Sequence, residues 1–356
     1  SLWYGQLWWR SDGSLAIGWL HAMQVAWHSA TCVLVMTMAR RWGMGWPTPA
    51  LAGLITAAFP FSHQAVAWAV PQQPAVTALI IASMLAFQRF RAQPSAITGP
   101  RPVHGRLGWL LASLALFAVA LLTHEVAAGF GLWPMVLIVL EPGHRRDRSA
   151  ALTFAGLLLG YLLLRSQATR LEGVIEGGFD SRAAAFLAQA PAFWFVRLLG
   201  GALEGRSAAV VIAAAVAWSL GLARLVSRGS SRLAVLCTLW VSIALVPEWT
   251  ALHGAYVELG QRLVYTAVPG IAIFWGAVAG TLFLPGRRAR AGVGAIAILT
   301  VLGGTGRDVL RQDQMLQAGA AHLSEAVTAL SGEGGSVLFA NFPDRFELRR
   351  AGYPTG

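Results

Sequence analysis

Long apolar runs alternate with short polar breaks along most of the chain. The runs are 15–39, 48–69, 74–90, 107–124, 126–141, 149–164, 207–226, 233–250, 263–284 and 291–304. A helix that crosses a bilayer needs roughly 20 apolar residues, with about 17–25 the usual range. The pattern therefore predicts about ten transmembrane helices. Pro60 interrupts the second run. Only His124-Glu125 separates the fourth from the fifth, which marks either a tight connection or a re-entrant turn. Past residue 304 the pattern changes: Val309 to Leu330 has helical periodicity, and Ser336 to Ala340 reads as one strand. The predicted fold class is an all-α polytopic membrane protein over 1–304. A small α/β segment over 305–356 begins after it and is cut short.

Composition agrees with that class. Of 356 residues, 56% are hydrophobic and 12% charged, which is not the balance of an ordinary soluble domain. Mean hydropathy is +0.58. All 27 basic residues are arginine, which suggests a GC-rich bacterial source. The net charge of +11 does not argue for nucleic acid, because the arginines punctuate the apolar runs and form no single polar face. Cys32 and Cys237 both lie inside apolar runs and read as small buried hydrophobes. The residues call for no cofactor. The histidines are scattered, with no tight ligand spacing, although a divalent metal is not thereby ruled out.

The arginines also predict an orientation. They cluster at Arg40-Arg41, at Arg89/Arg91 with Arg101/Arg106, at Arg145-Arg146/Arg148, at Arg224/Arg228/Arg232 and at Arg287-Arg288/Arg290. With ten spans, all five clusters fall on one side and hold 15 arginines, against seven in the opposite loops. Arginine retained on the cytoplasmic side is the usual topology signal. The opposite, extracytoplasmic side then holds the loops 165–206 and 247–262 and the tail from Thr305. Within the first of these loops, Ala183 to Leu203 suits either a helix lying in the membrane interface or a packed loop helix.

Ionisable groups at span ends are costly in a bilayer and are commonly functional. His21 and His28, seven apart with Gln24 between them, share one helix face. His63-Gln64 follow Pro60, His124-Glu125 close the fourth span, and Glu258 and Arg262 flank the mouth of the ninth. The predicted topology gathers all of them toward the outer leaflet. A plainer duty fits several. His21 and His28 suit interhelical hydrogen bonding, His63 could satisfy backbone groups freed by Pro60, and Glu258 with Arg262 suits a simple ion pair. His124-Glu125 is harder to explain structurally, because a carboxylate at a span junction needs a partner.

Together these residues resemble a known family. His21-x-x-Gln24-x-x-x-His28, then Arg40-Arg41, then Phe59-Pro60-Phe61-Ser62-His63-Gln64-Ala65-Val66-Ala67-Trp68 is similar to a pattern in polytopic glycosyltransferases of the GT-C class. The nearest likeness is to bacterial protein O-mannosyltransferase-like proteins, including those associated with tetratricopeptide repeats. Leu122-Thr123-His124-Glu125 with Trp133-Pro134, Gln261-Arg262-Leu263-Val264-Tyr265 with Pro269-Gly270, and Asn341-Phe342-Pro343-Asp344 resemble further family stretches in the same order. Against the family pattern, Gln24 stands for asparagine, Phe59 for histidine, Gln64 for glutamate and His124 for lysine.

The resemblance implies sugar transfer on the extracytoplasmic face of the bacterial cytoplasmic membrane. The donor would be a polyprenyl-phosphate-linked sugar, and the acceptor a protein, lipid or glycan. The family's catalytic aspartate sits in a first outer loop, upstream of the region where this chain begins, so the chain reads as a fragment. Asp12, the only carboxylate before the first span, is not assigned that role. Arg262 is the candidate to meet the lipid phosphate, with His124 as a second donor. Glu125 and Gln64 are candidates to orient hydroxyls, and His63 and Glu258 are further binding candidates. His21, Gln24 and His28 are candidates to line the site. The rival expectation is a non-catalytic membrane protein: a transporter, a flippase or a scaffold that binds lipid-linked sugar.

Overall fold

The computed structural model describes residues 17–59, 62–67, 72–92, 103–141, 145–168, 190–192, 207–251 and 261–282. Ten α-helices run through them: α1 Ile17–Arg41, α2 Thr48–Ala57, α3 Ser62–Ala67, α4 Gln72–Ala92, α5 Val103–Thr123, α6 Trp133–Leu140, α7 Arg145–Ala168, α8 Ser207–Ser227, α9 Ser231–Ala251 and α10 Val268–Leu282. Three 3₁₀ segments accompany them, Glu125–Leu132, Ala190–Ala192 and Gln261–Ala267. No strand occurs among the described residues. Five stretches are long and apolar enough to cross a membrane: His21–Arg41, Gln72–Ala92, Arg106–Thr123, Asp147–Gln167 and Arg262–Thr281. The apolar run at 291–304, the helix and strand expected in 305–356 and nearly all of the 165–206 loop lie outside the described residues.

Two expected spans are built differently from one uniform helix. The run at 48–69 breaks where Pro60 predicts a break: α2 stops at Ala57 and α3 starts at Ser62. The Ser62 hydroxyl donates to the Thr56 carbonyl (3.3 Å) and the Ser62 N–H to the Phe59 carbonyl (2.9 Å), so groups released by the break find partners. The run at 126–141 is a 3₁₀ segment continued by α6. It starts beside α4's first turn and finishes beside α4's last, because His124 meets Gln73 and Glu141 meets Arg91. It therefore traverses the bundle and does not turn back. At about 2.0 Å per 3₁₀ residue and 1.5 Å per α residue, its two halves reach about 28 Å, close to the bilayer's apolar thickness.

Polar groups gather at the two ends of α4. At one end Arg91 donates to the Glu141 carboxylate (3.0 Å), the Asp147 carboxylate (3.4 Å) and the Glu141 carbonyl (2.6 Å). Arg106 reaches the other oxygen of Asp147 (3.5 Å) and lies over the Phe90 ring, and Arg232 pairs with Glu141. The ends of α4, α5, α6, α7 and α9 that bear arginine clusters are thereby tied together. Arg224, in the last turn of α8, donates to the Thr281 carbonyl at the end of α10 (3.0 Å). Gln73 and Arg91 lie about 27 Å apart along α4 at the usual rise per residue.

Between the ends the core is aromatic and closely packed. Phe130, Trp133 and Trp240 form one group, with ring centroids 4.6 Å (Phe130 to Trp240) and 5.1 Å (Trp133 to Trp240) apart. Phe87, Phe117 and Phe154 form a second. Glycine sets the distance between α2 and α10. A Cβ on Gly276 would come within 3.1 Å of the Ala52 nitrogen and the Thr48 carbonyl, and one on Gly280 would strike the Thr48 hydroxyl. Small residues four apart let the two backbones approach in this way. Gly276→Leu should therefore destabilise the protein by about 1–3 kcal/mol. Gly156→Leu, on an exposed position of α7 with nothing within 4 Å, should be near neutral. Thermal unfolding of the two variants in detergent measures the difference.

Candidate functional site

The site forms where α5 gives way to the 3₁₀ segment. His124 is the residue between them, in an extended conformation (φ −160°, ψ 140°), and its side chain caps the segment. The Val126 N–H donates to His124 Nδ1 at 3.2 Å. Histidine thus does the work that serine or aspartate usually does at a helix start. A ring nitrogen that accepts from an N–H carries no proton of its own. Neutral His124 is then the Nε2–H tautomer. Its Nε2 lies 3.1 Å from the Gln73 amide on α4. Gln73 in turn reaches the Thr266 hydroxyl (3.4 Å), which meets the Thr77 hydroxyl (3.2 Å).

Glu125, the first residue of the 3₁₀ segment, turns toward α7. Arg165 donates to its carboxylate at 3.4 Å and to the Tyr161 hydroxyl at 2.9 Å. His124 Nδ1 is 3.9 Å from the same carboxylate. Gln72, Leu121, Leu122, Thr123, His124, Glu125, Tyr161 and Arg165 line an open cleft of ≈410 Å³. Leu122 is 80% exposed on the bundle's outer surface, so the cleft opens beside an outward-facing apolar side chain. Arg262 lies in the 3₁₀ segment that leads into α10, and its positive charge acts on His124.

Both members of the junction lie beyond the Arg106–Thr123 stretch. Burial disfavours a charged imidazole and pushes the His124 pKa below its usual value. Glu125 pulls the other way, while Arg165 and Arg262 add to the depression. For Glu125 the largest single effect, burial, raises the carboxyl pKa. The attraction of His124, a backbone hydrogen bond and Arg165 outweigh it, and the net shift is downward.

The remaining sequence-predicted residues are placed unevenly. His28 is the pivot of a second cluster. Its Nε2–H donates to the Ala57 carbonyl (3.3 Å), and its Nδ1 accepts from the Tyr265 hydroxyl (2.7 Å), which joins α1, the end of α2 and the 261–267 segment. Gln24 is buried one turn away on α1, and His21 is exposed. The backbones of His63 and Gln64 belong to α3. The side chains of these two residues, and Glu258 entirely, lie outside the described residues. No group of three or more histidine, cysteine or carboxylate side chains suited to a metal is found among the described residues. Arg165, Tyr161 and Gln73 are site residues that the sequence reading did not select. The available signals were the helical spacing of Tyr161 and Arg165 and the glutamine pair opening α4.

No protein-family model, curated protein or solved structure matches this chain.

The arrangement offers Arg165 and a carboxylate on an open cleft, beside a largely buried imidazole held neutral and within reach of the charge of Arg262. The usual histidine pKa is ~6.5. Below that value the unfolded chain takes up a proton that folded His124 refuses. Stability should fall as pH drops from ~6.5 toward the depressed folded pKa and should not fall further on this account below it. Glu125 adds a loss of the same sign, with its contribution present above the usual carboxyl value and lost as pH falls through its lowered pKa. The slope of unfolding temperature against pH, measured from neutral to mildly acid conditions, should be smaller in His124→Asn, which keeps a capping side chain but does not titrate.

Proposed function

We propose that this chain is the membrane part of a glycosyltransferase of the GT-C class, which moves a sugar from a polyprenyl-phosphate donor to an extracytoplasmic acceptor. The observation that carries the reading is the meeting of His124, Glu125, Arg165 and the charge of Arg262 at one end of the bundle, opposite the clustered arginines. By the positive-inside tendency, the arginine-clustered end faces the cytoplasm and the cleft faces outward. The bacterial cytoplasmic membrane suits such a chain, with ten spans and the small α/β segment at 305–356 on the outer side.

In this reaction an acceptor oxygen forms a bond to the sugar's anomeric carbon while the bond from that carbon to the phosphate oxygen breaks. The acceptor's proton passes to a carboxylate base. The lipid phosphate leaves with developing negative charge, which Arg262 and Arg165 are suited to meet, since guanidinium groups bind phosphate oxygens in pairs. Neutral His124 turns its N–H inward to Gln73 and gives the cleft a donor only when protonated. Glu125, paired with Arg165, can accept from a sugar hydroxyl.

One observation favours a binding-only reading, as for a flippase or a lipid-linked-sugar scaffold. Glu125 is already held by Arg165, and the Nδ1 lone pair of His124 is occupied by Val126. The two readings separate in nanodiscs supplied with a short-chain polyprenyl-phosphate sugar and a hydroxyl acceptor. A transferase releases polyprenyl phosphate, and Arg262→Ala or Arg165→Ala should lower that release by about 10²–10³-fold with the fold intact. Retention of the donor without release by the unaltered protein would select the binding reading. Unchanged release in Arg262→Ala would remove that residue from the mechanism.

The sidedness has its own test. Single cysteines placed at 125 and 165 should both react with a membrane-impermeant maleimide added from outside the cell, and one at 228 should not. Reaction of 125 and 165 from opposite sides would end the proposal of a shared cleft.

A further inference from the structure

We infer that Gln73 is a positioning residue of this site: its buried amide accepts from the Nε2–H of His124, the tautomer set by Val126, and ties the ring, through Thr266, to the 261–267 segment that carries Arg262. The inference rests on hydrogen-bond accounting. The Val126 N–H occupies the lone pair of Nδ1, so the ring proton sits on Nε2. Among the described residues, the hydrogen-bond partner of Nε2 is the Gln73 amide, at 3.1 Å. Two N–H groups cannot satisfy each other, so the amide oxygen faces His124. A half-turn about the terminal bond sets that orientation without moving any other atom. The amide NH₂ then donates to the Thr266 hydroxyl, which passes its own proton to Thr77. Each group in the row has a complementary neighbour in this order.

Position makes the row consequential. Gln73 is 5% exposed, so water does not replace a lost partner. Thr266 and Thr77 are fully buried. The Trp240 indole N–H donates to the Thr266 carbonyl at 2.9 Å, which fixes the segment from the other side. Next in sequence, Tyr265 is held by His28. One amide therefore bridges two separate parts of the chain, the 124–125 junction and the approach to α10. The charged groups acting on the imidazole are Glu125, Arg165 and Arg262. Gln73 is the neutral partner that occupies the Nε2 edge of the ring.

The consequence for sugar transfer rests on the reading proposed above, whereas the tautomer does not. The test is solid-state nitrogen NMR of the full chain in lipid, with ¹⁵N-labelled histidine and the His124 signals assigned by their loss in His124→Asn. At neutral pH the unaltered protein should show His124 in the Nε2–H form. Gln73→Leu removes the acceptor of Nε2–H while Val126 still holds Nδ1, so the ring should stay Nε2–H and its Nε2 and Nε2–H signals should move upfield. Gln73→Glu, which can accept from both Nε2–H and the Thr266 hydroxyl, should return them downfield. In the nanodisc assay, Gln73→Leu should lower kcat for polyprenyl-phosphate release about tenfold with little change in KM, and Gln73→Glu should recover it. An Nδ1–H form in the unaltered protein overturns the inference without any variant, as does Gln73→Leu with an unchanged spectrum. Absence of release by the unaltered protein, alongside the expected tautomer, would count against the transferase alone.

Discussion

Charge is expensive inside an apolar bundle, and the described residues carry theirs at helix ends, most densely at the two ends of α4. A guanidinium or carboxylate near the bilayer centre would lose its hydration with too few partners to replace it. At one end Arg91, Arg106 and Arg232 share Glu141 and Asp147. At the other, Glu125 stands between His124 and Arg165. The interval between them is filled with aromatic and aliphatic side chains and, where helices must touch closely, with glycine. The helix directions, the paired ends and the location of the cleft all follow from keeping ionised groups off the middle of the bundle.

The two ends are built for different work. The arginine-rich end is crowded and nearly saturated: Asp147 is buried and meets two arginines, while Arg91 also donates to the Leu137 and Glu141 carbonyls at the end of α6. Such a cluster fixes helix ends. The opposite end is open. Glu125 keeps more than half of its side chain exposed, and the adjoining cleft is walled partly by Leu122, which faces outward. An ionised, open surface beside an outward-facing apolar side chain is the setting that the proposed lipid-linked donor requires.

Much of this was legible in the residues, for identifiable reasons. Hydropathy marked the apolar runs because membrane length imposes a minimum on each. Arginine spacing separated the ends because charge and span boundaries coincide. The break near Pro60 was legible because proline cannot donate to a helix. His124-Glu125 stood out because no uncharged role was available to the carboxylate. The sequence could not show that α7 returns Arg165 to Glu125, because those residues lie forty positions apart and meet only through packing. Nor could it show that Gln73, an unremarkable glutamine at a helix start, faces His124. It also gave no sign that residues 125–132 are wound as 3₁₀, since that winding answers to tertiary fit and carries no strong local signature. Gly129 lies close to the Ile243 carbonyl and Gly131 to Leu158, so neighbouring helices shape this stretch.

That tighter winding has a geometric consequence. A 3₁₀ turn is longer per residue than an α turn by about 0.5 Å, which gives the stretch from Glu125 to Leu132 about 4 Å of extra length. Rewound as α, the same residues would withdraw the junction by that distance while α4 and α7 stayed where they are. The imidazole would then sit below the glutamine amide, and the carboxylate would drop out of reach of the guanidinium. The stretched coil is the spacer that brings the junction level with its partners.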